Sequence, residues 1–360
     1  MNKSVLILTS IKPNKHNKNG PSGLIWECQS LLNQYCYNCD LLIIKDRNKL
    51  NKLGIYLKKI NIEKIDKYDI ILIYPFHIYF KLDKKARSKT IVLGPDSPSL
   101  LFKRFYNVSK GINKIKYFIL KNWFLYKERK MLKNVSKFLV VRENDSRWLK
   151  YNHFNYSKKI FYLTHPILTS VVETISKVSV NCEKYKKYML IFSGDMSKKY
   201  VGDFINEFSL YINKVNLDIL IVGKNNKWIY ELFKIKCNRN KVQYIEWIDN
   251  YNCICNPKYH IHIVPLIAGA GTKNRVLTAC AMGVPVFSTF IGLENIYYGK
   301  PKNFIFKFKT IEEIIVKLSN LEDIFKNVPT VDDTVEYINR VNNRYKKEFL
   351  DYLGLKNDNS

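Results

Sequence analysis

The sequence is poor in acidic residues: 31 Asp and Glu stand against 60 Lys and Arg, a formal net charge of +29 over 360 residues. Self-repulsion of that size favours a polyanionic partner, which leaves nucleic acid, an acidic membrane surface or a phosphorylated substrate as candidates. Long apolar runs are also lacking. No stretch reaches the roughly 18–20 residues of a membrane-spanning helix, and the nearest candidate, 112–132, is interrupted by Lys114, Lys116, Lys121 and Lys127. Cysteine pairs that would complete a metal or redox site are missing too. Cys36 and Cys39 have suitable spacing but no second pair or neighbouring His, and Cys253 and Cys255 stand too close for a zinc knuckle, so both pairs read as ordinary thiols. The polar start Met1–Ser4 has no signal-peptide pattern, which with the scattered cysteines leads to the expectation of a reduced, cytoplasmic protein. No low-complexity tail or solenoid-period repeat is present.

What is present is core material. Hydrophobic residues make up 46% and aromatics 14%, which excludes whole-chain disorder, and at roughly 100–200 residues per domain the length suggests two domains. Short apolar runs of strand length occur at 4–9, 41–44, 68–74, 90–93 and 137–141, separated by helical or polar segments. A second series follows a polar stretch near 177–187, with runs at 188–192, 217–222, 241–245, 260–264 and 284–288. Alternation of near-continuous apolar strands with helices predicts two α/β halves, each a mostly parallel sheet covered on both faces. A final helical segment spans 332–353 after Pro329.

The most informative stretch runs from His260 to Thr289. It reads as a strand, a glycine turn, a helix start and a second strand. The turn and helix start carry Gly269, Ala270, Gly271, Thr272, Lys273, Asn274 and Arg275. Glycines let the backbone approach an anion, helix-start N–H groups point at it, and Lys273 and Arg275 add positive charge, so the pattern predicts a diphosphate cradle. It matches neither Gly-x-x-x-x-Gly-Lys-Ser/Thr nor Gly-x-Gly-x-x-Gly. Elsewhere, the alternating His260 and His262 read as a packed strand pair and His165-Pro166 as a link between the halves.

From Pro265 to Thr289 the chain resembles the group 1 retaining glycosyltransferases, whose run is a Pro-Leu strand end followed by Gly-x-Gly-Thr/Ile-Lys-x-Lys/Arg-Val-Leu-Glu-Ala-x-Ala-x-Gly-x-Pro-Val. A weaker likeness extends over most of the chain. Gly20 to Gly23 is similar to the family's acceptor-side glycine loop, Ile191 to Lys198 to the first strand and loop of its donor domain, and Gly292 to Ile296 to the segment after the motif. The resemblance implies a GT-B fold: two Rossmann-like domains facing across a cleft, residues 1–170 on the acceptor side and 171–328 binding a nucleotide-sugar, with 329–360 a crossover helix and tail. It implies a hexosyltransferase-like, retaining, metal-independent enzyme of the bacterial surface-polysaccharide type (lipopolysaccharide O-antigen, core or capsule), with no cofactor beyond its donor substrate. The chain also has no Asp-x-Asp motif.

Carried residue by residue, the resemblance places Gly194, Lys198, Lys199, residues 269–275, Thr278 and Glu294 at the donor, and Gly20 and Gly23 on the acceptor-side loop. Two family glutamates are replaced here by Ala270 and Thr278. Thr278 can still hydrogen-bond a hydroxyl, without charge, and Glu294 is a candidate substitute. Asp96 stands after a strand where the family often has a catalytic-side His, and His77 after the preceding strand is the second candidate; each also suits an ordinary loop.

The block from Lys103 to Lys159 carries 16 basic against 3 acidic residues. Its 112–132 segment fits an interfacial helix, with Lys114, Lys121, Trp123 and Lys127, aided by Phe118 and Phe124, facing anionic lipid. A solvated face on a core helix is the plainer reading. The expected partners are therefore a nucleotide-sugar, a polyprenyl-linked or lipopolysaccharide glycan acceptor and the cytoplasmic face of an inner membrane, with no specific nucleic acid. A catalytically silent GT-B partner subunit remains an alternative. A basic nucleic-acid binder is another, although no RNA-recognition, zinc-finger or homeodomain pattern is present.

Overall fold

A computed structural model describes residues 3–16, 21–36, 38–44, 65–94, 96–176, 187–238, 241–248, 251–296 and 303–355. The chain divides into two units, Met1–Leu168 with Val341–Ser360, and Thr169–Arg340. The division falls after Leu168 and after Arg340, where the sequence suggests 170 and 328.

The first unit contains β1 (Ser4–Thr9), α1 (Pro21–Tyr35), β2 (Asn38–Ile43), β3 (Ile70–Tyr74), α2 (Lys84–Arg87), β4 (Thr90–Gly94), α3 (Pro98–Val108), α4 (Gly111–Leu132), β5 (Lys137–Val140), α5 (Glu143–Asn152) and β6 (Ile160–Tyr162). Its strands form one parallel sheet in the order β2-β1-β3-β4-β5-β6. Successive residues of a strand face opposite sides, and both sides are covered. Val5 and Ile7 join one core with Leu24, Leu72 and Leu139. Leu6 and Leu8 join the other, with Ile71, Phe138, Met131 and Leu132.

The second unit contains α6 (Thr169–Ser176), β7 (Met189–Ser193), α7 (Lys198–Val201), α8 (Phe204–Tyr211), β8 (Asp218–Val222), α9 (Lys227–Lys236), β9 (Val242–Ile245), β10 (His260–Val264), α10 (Asn274–Ala281), β11 (Val286–Ser288), α11 (Phe290–Leu293), β12 (Ile305–Lys307), α12 (Ile311–Leu318) and α13 (Leu321–Lys326). Its parallel sheet has the order β12-β11-β10-β7-β8-β9. The central β7 and β10 are buried along their whole length, whereas the edge strands β9 and β12 are partly exposed. The last helix, α14 (Val331–Leu353), begins in the second unit. Its Tyr345, Phe349, Leu350 and Leu353 complete the first unit's core beside Val5 and Leu24.

The three-residue edge strands β6 and β12 are absent from the sequence reading. Gly202, at φ +56°, separates α7 from α8. Among the described residues no helix is long and apolar enough to cross a membrane.

Candidate functional site

All strands of the second sheet run parallel, so the loops after β7, β10 and β11 emerge on one edge, the usual ligand-binding edge of such sheets. The segment after β10 approaches α10 through Gly271, whose φ of +69° suits glycine. Lys273 is the N-cap of α10, a cation where Ser, Thr, Asp or Asn normally sits. Its Nζ donates to the Ala270 carbonyl at 2.5 Å and lies against Gly269. A positive side chain beside the positive end of a helix is an arrangement that a bound anion relieves. Gly269, Ala270 and Gly271 are buried, while Thr272, Lys273, Asn274, Arg275 and Thr278 are partly exposed.

Arg275, in the first turn of α10, crosses to β7, where its Nη1 donates to the Ser193 carbonyl and its guanidinium covers Gly194. Gly194 has φ +82°, and a Cβ there would lie 2.8 Å from the Arg275 Cζ, so the approach requires glycine. Burial pushes the Arg275 pKa down, opposed by Tyr251 and Asp195. Buried Asn226, just after β8, fixes this loop. Its Nδ2 donates to the Gly194 and Val222 carbonyls at 2.6 and 2.7 Å, and its Oδ1 accepts from the Met196 N–H at 3.0 Å.

Lys198 and Lys199 are exposed on α7, which is tied to the post-β10 loop by the Ile267 N–H donating to the Tyr200 carbonyl at 2.8 Å. Lys198 Nζ lies 5.4 Å from the Trp228 ring centroid. The loop after β11 is held by Thr289 Oγ1 donating to the Leu266 carbonyl at 2.5 Å, and Glu294, the C-cap of α11, is buried. The expected donor residues thus share one sheet edge. Asn226, Tyr251 and Trp228 belong to the same neighbourhood but carry no sequence signal, because their roles arise from contacts between distant elements; Ser193, within the 191–198 likeness, gains its partners in the same way.

In the first unit, β3 and β4 are neighbours, which puts His77, in the 3₁₀ turn after β3, and Asp96, after β4, on one sheet edge. Both are partly exposed. Gly94 pairs with Val140, bringing Arg142 to the same edge just beyond β5. Arg142 and Asp145 are fully buried and interact electrostatically with Asp96 and Arg104. Burial foremost, then Asp96, pushes the Asp145 carboxyl up to about 7; burial, then Arg104, pushes Arg142 down to about 10. Apart from Asp96, this charged group is missing from the sequence reading. Gly23 lies in the first turn of α1 and is buried, not in a loop, because the helix already starts at Pro21; Gly20 lies outside the described residues.

Helices α3 and α4 carry the basic segment. Ser97 caps α3, accepting from the Leu100 N–H, and its hydroxyl donates to buried Glu128 of α4 at 3.0 Å. Ser99 donates to the same carboxylate through its N–H (3.2 Å) and hydroxyl (2.6 Å), and His153 Nε2 lies 3.3 Å from it. Lys114 is exposed, Lys121 half-buried and Trp123 37% exposed. Lys127 corrects the sequence expectation: it is buried, its Nζ 5.0 Å from the Phe80 and 4.7 Å from the Trp123 ring centroids. Phe124 also turns inward, stacking on Phe102. The inward positions Phe124, Lys127, Glu128 and Met131 keep helical spacing, a signal that could have separated Lys127 from the outer face.

Among the described residues no group of three or more His, Cys, Asp and Glu is placed to hold a metal. His260 and His262 are both buried within the sheet. Cys36 and Cys39 are free thiols, whereas Cys253 is disulfide-bonded, correcting its reading as an ordinary thiol.

Residues 187–323 match the family model described as "Glycosyl transferases group 1". No curated protein matches the chain. Solved structures with a similar fold include a glycosyltransferase from Rickettsia africae ESF-5, with 16% identity, all of both chains covered and a TM-score of 0.62. Alr3699/HepE of Anabaena in complex with UDP and glucose gives 10%, 98% of each chain and 0.60. WaaG, a glycosyltransferase involved in lipopolysaccharide biosynthesis, gives 10%, 97% of this chain and 100% of that chain, and 0.59. These likenesses, with the two parallel six-stranded sheets, establish the GT-B fold.

Proposed function

We propose that the protein is a glycosyltransferase that moves a sugar from a nucleotide-sugar to a glycan or lipid-linked acceptor in cell-surface polysaccharide biosynthesis. The observation that carries this reading is the convergence of Lys273, Arg275 and the start of α10 on one sheet edge, inside the segment matching the family model. Breaking the bond between sugar and diphosphate leaves negative charge on the departing group. Fixed cations and helix-start amides stabilise that charge without reorganisation. Lys273 and Arg275 hold the diphosphate in this scheme, Lys198 and Lys199 add a field from α7, and no metal takes part. Thr278 and Glu294 contact the donor's hydroxyls. Asp96, or His77, orients the acceptor hydroxyl, and the sugar's configuration is retained.

The neighbours' named ligands and roles support this reading: HepE was solved with UDP and glucose, and WaaG acts in lipopolysaccharide biosynthesis. For the acceptor side, the α3–α4 hairpin leaves Ile112 85%, Ile115 63%, Ile119 61% and Tyr126 55% exposed beside Lys110, Lys114 and Lys116. An apolar stripe flanked by lysines suits an anionic membrane surface, so we place the enzyme peripherally on the cytoplasmic face of the inner membrane, at a polyprenyl-linked or lipopolysaccharide acceptor. Thr278, standing where the family carries a glutamate, favours one rival, a catalytically silent partner subunit.

The test is a panel of UDP-, GDP- and dTDP-sugars incubated with purified protein and membrane lipid extract, scored for nucleoside diphosphate release. Release with one donor, abolished by Lys273→Ala, is expected. Nucleotide binding without release with any lipid extract would favour the silent partner, and absence of binding would refute the donor site.

A further inference from the structure

A chain of hydrogen bonds leads from the Arg275 platform into the core of the second unit. Ser193 Oγ and Tyr251 Oη are 2.6 Å apart, Tyr251 Oη and His262 Nδ1 3.2 Å, and His262 Nε2 and the Ile254 carbonyl oxygen 2.7 Å. The last contact sets the direction of all three. A carbonyl can only accept, so Nε2 carries the proton, and the neutral ring presents Nδ1 as an acceptor. Burial, which pushes the His262 pKa down to about 3, keeps that ring neutral. Tyr251 therefore donates to Nδ1, and its oxygen accepts from the Ser193 hydroxyl.

The chain ends at the residue that supports Arg275. Ser193 uses its hydroxyl to hold Tyr251 and its carbonyl to hold the Arg275 guanidinium. The Tyr251 ring also packs edge-on against His262, with centroids 5.9 Å apart. We infer that Tyr251 is a positioning residue for the diphosphate site, fixing the end of β7 through Ser193 and thereby the guanidinium that rests on it. The inference rests on the reading of Arg275 as a diphosphate-binding group.

Such a residue acts only by way of Arg275, and non-additivity reads this out where a loss of packing would not. The full-length protein is titrated calorimetrically with inorganic pyrophosphate as wild type, Tyr251→Phe, Arg275→Ala, Lys273→Ala and the two double variants built on Tyr251→Phe. Tyr251→Phe should weaken binding about five- to tenfold in the wild type and in Lys273→Ala, as loss of one buried hydrogen bond would, and less than twofold in Arg275→Ala. Ser193→Ala, which removes the same link from its other end, should weaken binding to a similar degree and serves if Tyr251→Phe does not fold. Unchanged affinity in both variants, with Arg275→Ala impaired, overturns the inference and leaves the donor site standing. Equal weakening with and without Arg275 overturns it as well, since Tyr251 would then act by general loosening. If wild type binds no pyrophosphate, or if neither Lys273→Ala nor Arg275→Ala matters, the donor-site reading fails and the inference with it.

Discussion

Replacing Gly194 with Ala tests the donor site through its geometry while leaving every charge in place. The added methyl carbon would lie 2.8 Å from Cζ and 3.0 Å from Cδ of Arg275, so the guanidinium must leave the Ser193 carbonyl. Two effects follow, and they are separable. Alanine at φ +82° costs roughly 1–2 kcal/mol of folding free energy, which lowers the melting temperature by a few degrees in a protein of this size. Displacing the guanidinium from the ligand removes one charge-assisted contact worth about 1.5–3 kcal/mol, equivalent to about 10–150-fold in dissociation constant. Calorimetric titration with the nucleoside diphosphate that binds the wild type measures the second effect, and thermal unfolding in its absence measures the first. A variant that melts a few degrees lower yet binds within about twofold of wild type would refute the role given to Arg275.

Three further outcomes are expected. Glu128→Ala leaves the Ser97 and Ser99 donors and His153 without their buried carboxylate, and should cost about 3–5 kcal/mol in urea unfolding; a loss below about 1 kcal/mol contradicts the network. Asp145 keeps its proton up to about pH 7 when folded, whereas its ordinary value is 3.8, so between those pH values the folded state binds more protons and stability falls as pH rises. That contribution is about 4 kcal/mol at most; Asp145→Asn should flatten the unfolding free energy between pH 4 and 8, and an unchanged slope counts against it. On the outer face, changing Lys110, Lys114 and Lys116 together to Ala should weaken flotation with anionic vesicles about 100-fold, at roughly 1 kcal/mol per lysine. Flotation that ignores both lipid charge and these changes would remove the membrane from the proposal.

The strand, glycine turn and cationic helix start of the proposed donor site were legible because these parts are contiguous. Strand, glycine turn, cationic helix start and following strand all fall between His260 and Thr289, and each is specified by short-range rules: apolar strand residues, glycine where the backbone turns, small residues on α10. Lys127 shows where such reading ends. Its inward place on α4 follows from helical spacing, but the aromatic rings that cover it come in part from the 3₁₀ turn after β3. Glu128 likewise reads as one more helix-surface charge until the N-terminus of α3 and His153 close around it.

By itself the sequence determined the excess of positive charge, the alternation of buried strands and helices in two series, and the glycine turn with its cationic helix start, since backbone propensity and side-chain period act over a few residues. Only the tertiary structure decided which cations lie at the sheet edge and which lie in a core. Arg275 gains its place from Ser193 and Gly194 in β7 and the loop after it, and Ser193 is held in turn by Tyr251 and His262. These partners are brought together by pairing of β7 with β10. Hydrogen bonds of that kind depend on distances of about 3 Å between residues far apart in the chain, and local rules do not encode them.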